Sequence, residues 1–422
     1  MHQGAIEAAL AFAIVLPLLF VNQITSAGPA ASFAATGLYA WVHRARLGET
    51  FARRWPLLLV PALAIVSTIW SSYPDLTAKH SLELTMTVAG GLMLSASPRP
   101  ASMLTGAFAA FAVFLAASLV LGHSVGVGDV GDVASSGDEQ AFAGLNGGKN
   151  LLGMTAAMAA LLSLFVLSYS ARRLSLVGVA MAAAALAMEG YLLWAARSAG
   201  ATVATLLAVF AFAIVATLRA FPPRARAWVS AALIAALGAL GAWGYTFAGS
   251  VTATALGIFH KDPTLTGRSY LWYRAGDIIR ERALLGHGFE AFWVRGNIDA
   301  EGFWQYAKVT QRSGFSFHNT LIEMLIDFGW LGAALLLAVF AVAFFALLRR
   351  AVRAPSLISA FFVALLVFNL ARAPFESLSP NSVDFSFLFI VAALGFGFGR
   401  AQGRQPLPAA RFGAAPILAG PA

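Results

Sequence analysis

The stretch SGFSFHNTLIEML, at residues 313–325, places a histidine and an asparagine at the mouth of a long apolar run. Histidine is costly in lipid, and asparagine is a poor helix former. With Ser316 as an N-cap, His318 falls in the first turn of a helix, whose dipole disfavours the imidazolium. A neutral imidazole can take a proton from an attacking hydroxyl. The pattern predicts that His318 is a general base, with Asn319 supporting it.

A polar face continues from this histidine into the apolar run. Asn319, Glu323 and Asp327 recur every four residues, so they line one side of the predicted helix. Ionisable residues in a membrane span usually face a cavity or a partner and mark function by default. Two interpretations stay open: a cavity in which Glu323 supports the base, or polar contacts that hold helices together.

Three basic residues add a second kind of chemistry. Lys149 begins an apolar run in GLNGGKNLLG, Arg197 lies in the short turn LLWAARSAGAT, and Arg268 opens TGRSYLWYRAGDIIRERALLGHG. The glycine spacing around Lys149 is wrong for a nucleotide-binding P-loop, and Asn150 stands where a serine or threonine is needed. Each cation also has a structural interpretation, as an interface anchor, a turn residue or a solvated charge. Without a metal-ligand cluster, such cations suit a phosphate or pyrophosphate ligand.

The segment that follows Arg268 has the pattern of an amphipathic helix. Thr266 is the predicted N-cap, and GHG ends the helix. Its apolar side holds Leu271, Ala275, Ile278, Ile279 and Leu285, and its charged side holds Arg274, Asp277, Arg280 and Glu281. Together with Trp272, this pattern predicts a helix that lies along the outer membrane face. Arg268 occupies the first turn, where free N–H groups already favour an anion, so we expect an anionic ligand beside it.

Aromatic residues are dense in the stretch that follows. Phe292, Trp293, Phe303, Trp304 and Tyr306 lie within a short distance along the chain. Such side chains either rest on lipid or stack on the faces of sugar rings. Composition alone does not separate the two interpretations.

The chain that carries these residues has the composition of a membrane protein. It has 422 residues, of which 59% are hydrophobic and 11% charged, and its mean hydropathy is +0.76. Soluble domains carry about 25% charged residues. No cysteine is present, which excludes disulfides, thiol catalysis and thiolate metal sites. The net charge of +9 is typical of basic cytoplasmic loops rather than of nucleic-acid binding.

Apolar runs between polar breaks predict about twelve membrane-spanning helices in an all-α polytopic protein. They lie near 6–22, 29–43, 56–71, 81–96, 101–121, 151–170, 174–194, 199–220, 227–249, 317–348, 355–372 and 383–399. The first run has no basic n-region or convincing cleavage site, which predicts a retained span. We expect one integral membrane domain over 1–422, with a large loop at 250–316 between helices nine and ten and a flexible tail at 400–422.

The basic residues orient these helices. Sixteen of the 28 lysines and arginines fall on one side of the predicted membrane. The short loops on the other side hold only Lys79, Lys149, Arg197 and Arg372, and the first and last of these are the weaker site candidates. By the positive-inside rule, both termini are cytoplasmic and the large loop is outside. The candidate base and cations then share one outward-facing cavity.

In this order and on this topology, the motifs resemble the O-antigen ligase and Wzy-type polymerase superfamily, with exopolysaccharide polymerases of the ExoQ type the nearest in pattern. The resemblance covers most of the chain and rests on IWSSYPDLT, GLNGGKNLLG, ARSAG, TGRSYLWYRAGDIIRERALLGHGFEAFW and FHNTLIEMLIDFGWLG. It implies a bacterial inner-membrane enzyme with a large periplasmic loop before the tenth helix. It also implies glycan transfer from an undecaprenyl-pyrophosphate-linked donor to a saccharide acceptor, without a metal, cofactor or nucleotide sugar.

The resemblance further implies residue roles. Essential arginines of the family's ligases match Arg197 and Arg268, which would bind the donor pyrophosphate. The essential histidine, which precedes an asparagine at the loop's end, matches His318, the expected base. Lys149 and Asn150 match a recurrent Lys-Asn pair that would assist donor binding.

The sequence does not identify the acceptor. Polymerisation of exopolysaccharide repeat units is the leading interpretation, ligation of finished O-antigen to lipid A–core the second, and protein O-glycosylation a third. A secondary transporter is the alternative from another class, but transporters tend to place their sites near the midplane on broken helices. Two departures from the family pattern, Ala196 for a serine and His287 for a tyrosine, touch neither the base nor the cations.

Overall fold

The computed structural model describes residues 2–126, 140–228, 230–231, 268–307 and 315–399, and every structural statement below concerns these residues. Their helices, in chain order, are α1 (His2–Leu19), α2 (Val21–Ile24), α3 (Ala27–Val42), α4 (Leu47–Ser67), α5 (Pro74–Ser95), α6 (Pro100–Leu121), α7 (Lys149–Arg172), α8 (Leu176–Ala195), α9 (Ala199–Leu218), α10 (Arg268–Glu281), α11 (Ile298–Tyr306), α12 (Thr320–Arg353), α13 (Leu357–Arg372) and α14 (Phe385–Gly397). A short antiparallel ribbon, β1 (His123–Gly126) with β2 (Gln140–Gly144), precedes α7. Apart from this ribbon, the regular structure of the described part is helical.

Several of these helices suit a bilayer. Six are long and apolar enough to cross a membrane, and they lie at Arg44–Ser67, Pro100–Leu121, Lys149–Arg172, Leu176–Ala195, Ala199–Leu218 and Thr320–Arg353. Shorter apolar helices lie at Gln3–Leu19, Leu357–Arg372 and Phe385–Gly397. The prediction of an all-α membrane protein is confirmed. Helices overlap eleven of the twelve predicted spans. The ninth, at 227–249, lies almost wholly outside the described residues, so the count of twelve stays a prediction.

Glycines let neighbouring helices approach closely. Where α1 crosses α6, a Cβ atom on Gly106 would lie 2.0 Å from the carbonyl oxygen of Ala8. Where α5 meets α14, a Cβ atom on Gly91 would lie 2.6 Å from the carbonyl oxygen of Leu388. Lipid offers helices no hydrophobic drive to associate, so close backbone packing of this kind holds membrane bundles together.

Helix α12 is broken at Gly329, and the break anchors the large loop. Gly329 has a φ of +63° inside the helix. The loop after α10 docks beside it, where the N–H of His287 donates to the carbonyl of Ile326 at 2.7 Å. A Cβ atom on Gly329 would lie 2.3 Å from the carbonyl carbon of Leu284, so glycine is required by both the backbone angle and the close approach.

The turn between α4 and α5, which contains the motif IWSSYPD, holds the same loop from another side. Nε1 of Trp70 donates to the carbonyl of Leu285 at 2.8 Å. The N–H of Ser72 donates to the carbonyl of His287 at 2.9 Å. This motif therefore positions the loop that leads to the candidate base.

The apolar side of α10 is buried against protein. Leu271, Ala275 and Ile278 pack into an aromatic cluster with Phe292, Phe303, Trp304 and Phe317. The expectation that α10 rests its apolar side on the membrane does not match this packing. Most of the loop aromatics form a core for the loop, although Tyr306 is 39% exposed. Leu285, expected on the apolar side, is 43% exposed because the helix ends at Glu281. The predicted N-cap, Thr266, lies outside the described residues.

Candidate active site

His318 lies just before α12 and not within its first turn. The N-cap is Asn319, whose Oδ1 accepts the N–H groups of Leu321 at 3.0 Å and Ile322 at 3.1 Å. Ser316 accepts the N–H of His318 at 3.2 Å and caps no helix. The prediction of Ser316 as the cap is therefore wrong, because asparagine, an equally good cap, stands closer to the helix. Because His318 does not lie in the first turn of α12, the predicted effect of the helix dipole on its imidazole does not follow.

The backbone that presents His318 is held on both sides. The N–H of Phe317 donates to Oε1 of Glu323 at 2.6 Å, and its carbonyl accepts from Nε1 of Trp272 at 2.8 Å. His318 itself has a φ of +51°, which is uncommon for a residue other than glycine and costs about 1 kcal/mol or more. Trp272 and Glu323 thus help to hold an otherwise unfavourable turn. Glu323 contacts the backbone of this turn, and the expectation that it also lines a cavity stays a prediction.

The segment after α13 packs directly against this turn. Nδ2 of Asn319 donates to the carbonyl of Pro374 at 3.1 Å, and the N–H of Thr320 donates to the carbonyl of Ala373 at 3.0 Å. Oγ1 of Thr320 donates to the carbonyl of Glu376 at 2.8 Å. Asn319 therefore caps the helix and also joins it to the neighbouring segment.

That junction brings the carboxylate of Glu376 between the imidazole and an arginine. Nδ1 of His318 lies 3.6 Å from Oε2 of Glu376, and Nη2 of Arg268 lies 3.7 Å from Oε1. Arg268 also donates from Nη1 to the carbonyl of Phe375 at 2.6 Å. Burial raises the pKa of Glu376, but His318, Arg372 and Arg268 together outweigh burial and hold that pKa below its ordinary value of 4.5. In this structure the anion beside Arg268 is a side chain of the protein, and the binding of an anionic ligand there stays a prediction.

Arg372 is a second cation of this cluster. It ends α13, is 5% exposed, and faces the charges of Glu376, Asp384 and Arg268. Its guanidinium carbon lies 5.1 Å from the centroid of the Phe368 ring. Nη1 is buried and has no hydrogen-bond partner among the described residues. By contrast Lys79, the other weaker candidate, forms a surface pair with Glu83 at 3.8 Å.

The remaining predicted residues form a second group. Lys149 is the first residue of α7 and is 8% exposed. Its neighbour Asn150 accepts a hydrogen bond from Oγ of Ser198 at 3.0 Å. Arg197 precedes that serine, is exposed, and has a left-handed φ of +49° in the turn between α8 and α9. The Lys-Asn pair and the arginine turn, distant in sequence, are therefore neighbours.

The two groups lie at the same end of the bundle. The ring of Phe165, near the end of α7, lies 6.3 Å from the ring of Phe361, near the start of α13. The two helices therefore run in opposite directions, and the start of α7 is level with the end of α13. The described contacts do not join Arg197 to Arg268, so their convergence on one cavity stays a prediction.

Sequence reasoning missed Glu376 and undervalued Arg372. Both lie in ARAPFES, where Glu376 follows Arg372 by four residues just after an apolar span. Arg372 was already an exception to the charge bias, and a carboxylate so close to it was the available signal. The contact with His318 joins positions 58 residues apart, which helical periodicity does not reveal.

His287, the departure from the family's tyrosine, lies away from this cluster. Its backbone docks the loop onto α12, and its ring lies 5.9 Å from the ring of Phe292. Burial, reinforced by the positive charge of Arg282, lowers the pKa of the imidazole. His287 therefore adds no cation near neutral pH.

Comparisons with known proteins agree with these motifs. Residues 159–337 match the family described as O-antigen ligase (Wzy_C), and the matched range includes Arg197, Arg268 and His318. The chain is 29% identical over 401 residues to the exopolysaccharide production protein ExoQ of Rhizobium meliloti (strain 1021). That alignment covers 92% of this chain and 88% of the relative. The resemblance is thereby confirmed: the middle of the chain is similar to the O-antigen ligase family, and most of its length is similar to an exopolysaccharide production protein.

Proposed function

We propose that the chain is a membrane glycosyltransferase that moves a glycan from an undecaprenyl-pyrophosphate-linked donor to a sugar hydroxyl and so polymerises exopolysaccharide repeat units. One observation carries the proposal: Glu376 contacts both the imidazole of His318 and the guanidinium of Arg268. His318, the base for the acceptor hydroxyl, and Arg268, the cation for the donor pyrophosphate, would then lie on either side of the Glu376 carboxylate. The similarity to a protein named for exopolysaccharide production supports polymerisation.

His318 is the general base of this mechanism. Because Glu376 faces Nδ1, it favours the tautomer with the proton on Nδ1 and leaves Nε2 to accept another. As the acceptor oxygen bonds to the donor's anomeric carbon, its proton passes to Nε2. The bond between that carbon and the pyrophosphate oxygen breaks, and its electron pair leaves with undecaprenyl pyrophosphate. The leaving group is stable as an anion, so no strong general acid is needed, and His318 returns its proton to solvent.

The arginines stabilise the charge that develops on the leaving group. A planar guanidinium can hold two oxygens of a pyrophosphate at once, which an ammonium cannot. Arg268 and Arg372 flank Glu376, and Lys149 and Arg197 lie on helix ends at the same end of the bundle. We propose that the donor pyrophosphate draws Arg197 and Arg268 into one cavity, while Asn150 steadies the turn that carries Arg197.

The proposed setting is the bacterial inner membrane, with both termini in the cytoplasm and the site facing the periplasm. The excess of basic residues in one alternating set of segments supports this orientation. The acceptor would be the end of a growing glycan in the periplasm. The hydrophobic donor would reach the site from the bilayer.

An O-antigen ligase that transfers finished polymer to lipid A–core is the second candidate. It is favoured by the match of residues 159–337 to the family described as O-antigen ligase. Polymerase and ligase use the same donor and the same base, so the residues described above serve either reaction.

Gel analysis of surface glycan from a deletion strain tests the proposal. Loss of high-mass exopolysaccharide with intact lipopolysaccharide is the expected result, and restoration by the wild-type chain is the control. Loss of the O-antigen ladder with retained lipid-linked polymer would replace polymerase with ligase. Unchanged glycans of both kinds would contradict a transferase role.

A further inference from the structure

A cavity of about 270 Å³ opens at the end of the bundle opposite His318. Its charged lining consists of Arg46, Glu49, Arg53, Arg54 and Arg350. Arg350 stands near the end of α12, whereas His318 precedes the start of that helix. At 1.5 Å per residue the separation is on the order of 40 Å, so this basic pocket is separate from the candidate active site.

Arg54 is placed in the basic pocket by a break in α4. Its φ of −109° and ψ of 15° are not helical, and Pro56 follows two residues later. Proline disrupts the hydrogen bonding of the preceding turn, which accounts for a break at this point. The Arg54 side chain is directed into the protein and is 5% exposed.

The guanidinium of Arg54 is incompletely satisfied. Nη2 donates to the carbonyl of Ser95 at 3.2 Å, and Nη1 lies 3.4 Å from the carbonyl of Thr50. Nε is buried and has no partner among the described residues. A buried donor without a partner costs about 1–3 kcal/mol, so an acceptor at this position would be favourable.

A second guanidinium lies beside the first. Arg350 donates to the carbonyl of Phe396 and lies 3.5 Å over the centroid of the Phe396 ring. A Cβ atom on Gly399 would lie 2.6 Å from Nη1 of Arg350 and 3.4 Å from Nη2 of Arg54. Both guanidinium groups therefore border the same small space.

Positive charge exceeds negative charge in the basic pocket. The lining carries four arginines and one carboxylate, and that carboxylate, Glu49, already accepts from Nε of Arg53 at 2.9 Å. The carbonyl ends of α5 and α14 contribute roughly half a negative charge each. The sequence after Gly399, residues 400–422, contains no aspartate or glutamate. The described lining thus retains a net charge of roughly +2 by the same estimate.

We propose that the basic pocket binds a phosphate or pyrophosphate group. Two adjacent guanidinium groups offer paired, planar donors that match phosphate oxygens. The volume lies just below the ~300–1,000 Å³ typical of sites for larger ligands, so it fits a phosphate with a small headgroup better than an oligosaccharide. The group could come from an anionic phospholipid of the adjacent leaflet or from a soluble phosphate compound, because both present the same oxygens.

The plain structural alternative is that Arg54 and Arg350 only cap the carbonyl ends of α5 and α14. Thermal unfolding of the purified full-length chain separates the two. One arm adds inorganic pyrophosphate in detergent, and the other compares nanodiscs of phosphatidylcholine with and without phosphatidylglycerol. The test variant is Arg54→Gln with Arg350→Gln. The matched control is Arg172→Gln with Arg173→Gln, which removes the same charge from two exposed arginines at the same end of the bundle.

A shift of several degrees in Tm is expected for the wild type and the control, and its loss is expected in the test variant. Pyrophosphate bound at the candidate active site would shift both variants equally, so only their difference reports the basic pocket. A difference confined to pyrophosphate identifies a soluble ligand, and one confined to phosphatidylglycerol identifies a lipid. Equal responses of the two variants in both arms would overturn the proposal and leave helix capping as the sole role.

A rim variant covers the case in which the test variant does not fold. Arg46 lines the basic pocket and is exposed, and its side chain makes no capping hydrogen bond at the start of α4. Arg46→Glu should fold. It should show a smaller Tm shift than the wild type with whichever ligand, pyrophosphate or phosphatidylglycerol, stabilises the wild type. Arg44→Glu, an equal charge change at an exposed position outside the lining, should keep it. Equal responses of these two variants would also overturn the proposal.

Discussion

Nδ1 of His318, just before α12, lies 3.6 Å from Oε2 of Glu376, just after α13, which is an ion-pair distance. The contact is too long for a direct hydrogen bond, so a small closing movement would be needed to form one. Catalytic hydrogen bonds are often long without substrate and shorten when substrate binds. The pair therefore suits a base whose tautomer is set by a neighbouring carboxylate.

Replacement of Glu376 by glutamine should separate transfer from donor binding. Without the carboxylate, imidazole orientation and tautomer are no longer fixed, so transfer should fall by ~10-fold or more. Donor binding should stay equal or become tighter, because Arg268 and Arg372 lose a competing anion. Both are measured with purified lipid-linked donor, and Glu83→Gln, in a surface pair, is the control. A variant that transfers at the wild-type rate would contradict the positioning role.

The stability contribution of Glu376 should depend on pH in one direction. Its pKa is held below the ordinary value of 4.5, so the ionised form is favoured in the folded protein. Such a group stabilises the fold above its unfolded pKa, and the stabilisation is lost as pH falls through the folded pKa. The Tm difference between wild type and Glu376→Gln should therefore shrink as pH falls below about 4. A difference that stays undiminished at such low pH would contradict this assignment.

Arg372 and Lys79, two basic residues that the sequence predicts on the outer side, should behave differently. Arg372→Ala should lower both transfer and Tm, because it removes a buried cation that faces Glu376 and Asp384. Arg372→Lys should not restore transfer fully, since an ammonium lacks the planar fork. Lys79→Ala should lower the free energy of unfolding by less than about 1 kcal/mol, as is usual for an exposed ion pair, and should change Tm little. Equal effects at the two positions would remove Arg372 from the candidate site.

Much of the membrane architecture could be predicted because apolar length is a local property. The start of α12 was misplaced because Ser316 and Asn319 are both good caps, and only the fold decides which side chain meets the free N–H groups. Glu376 was missed for a different reason. Its partners Arg268 and His318 are far away in sequence, and no periodic pattern encodes such a contact.

The large loop shows the same limit. Its aromatic residues were expected on lipid or sugar, but Phe292, Phe303 and Trp304 pack on Phe317. Composition shows that these aromatic side chains need a partner, but it does not show whether that partner is lipid, sugar or the rest of the protein. The glycines of GHG and DFG could be noticed in the sequence, yet the approach of Leu284 to Gly329 is visible only in the fold.

Membrane orientation can be tested by labelling single cysteines in this cysteine-free chain. Ile298, in α11 of the large loop, is 84% exposed, so a membrane-impermeant maleimide should label Ile298→Cys from the periplasmic side. Arg173→Cys, exposed at the opposite end of the bundle, should be labelled only after the membrane is permeabilised. The reverse pattern would place the candidate site in the cytoplasm and contradict the proposed donor access.

The most direct test of the proposed function is the transfer rate of His318→Ala with purified lipid-linked donor, measured beside donor binding. A positioned general base contributes ~10²–10⁴-fold, so transfer should fall by that factor while donor binding stays near wild type. His318→Arg should also fail, because a permanent cation cannot accept the proton, and His123→Ala, at an exposed histidine of the β ribbon, should be unaffected. Transfer at the wild-type rate would contradict the mechanism. Loss of donor binding as severe as loss of transfer would make His318 a pyrophosphate ligand and not the base.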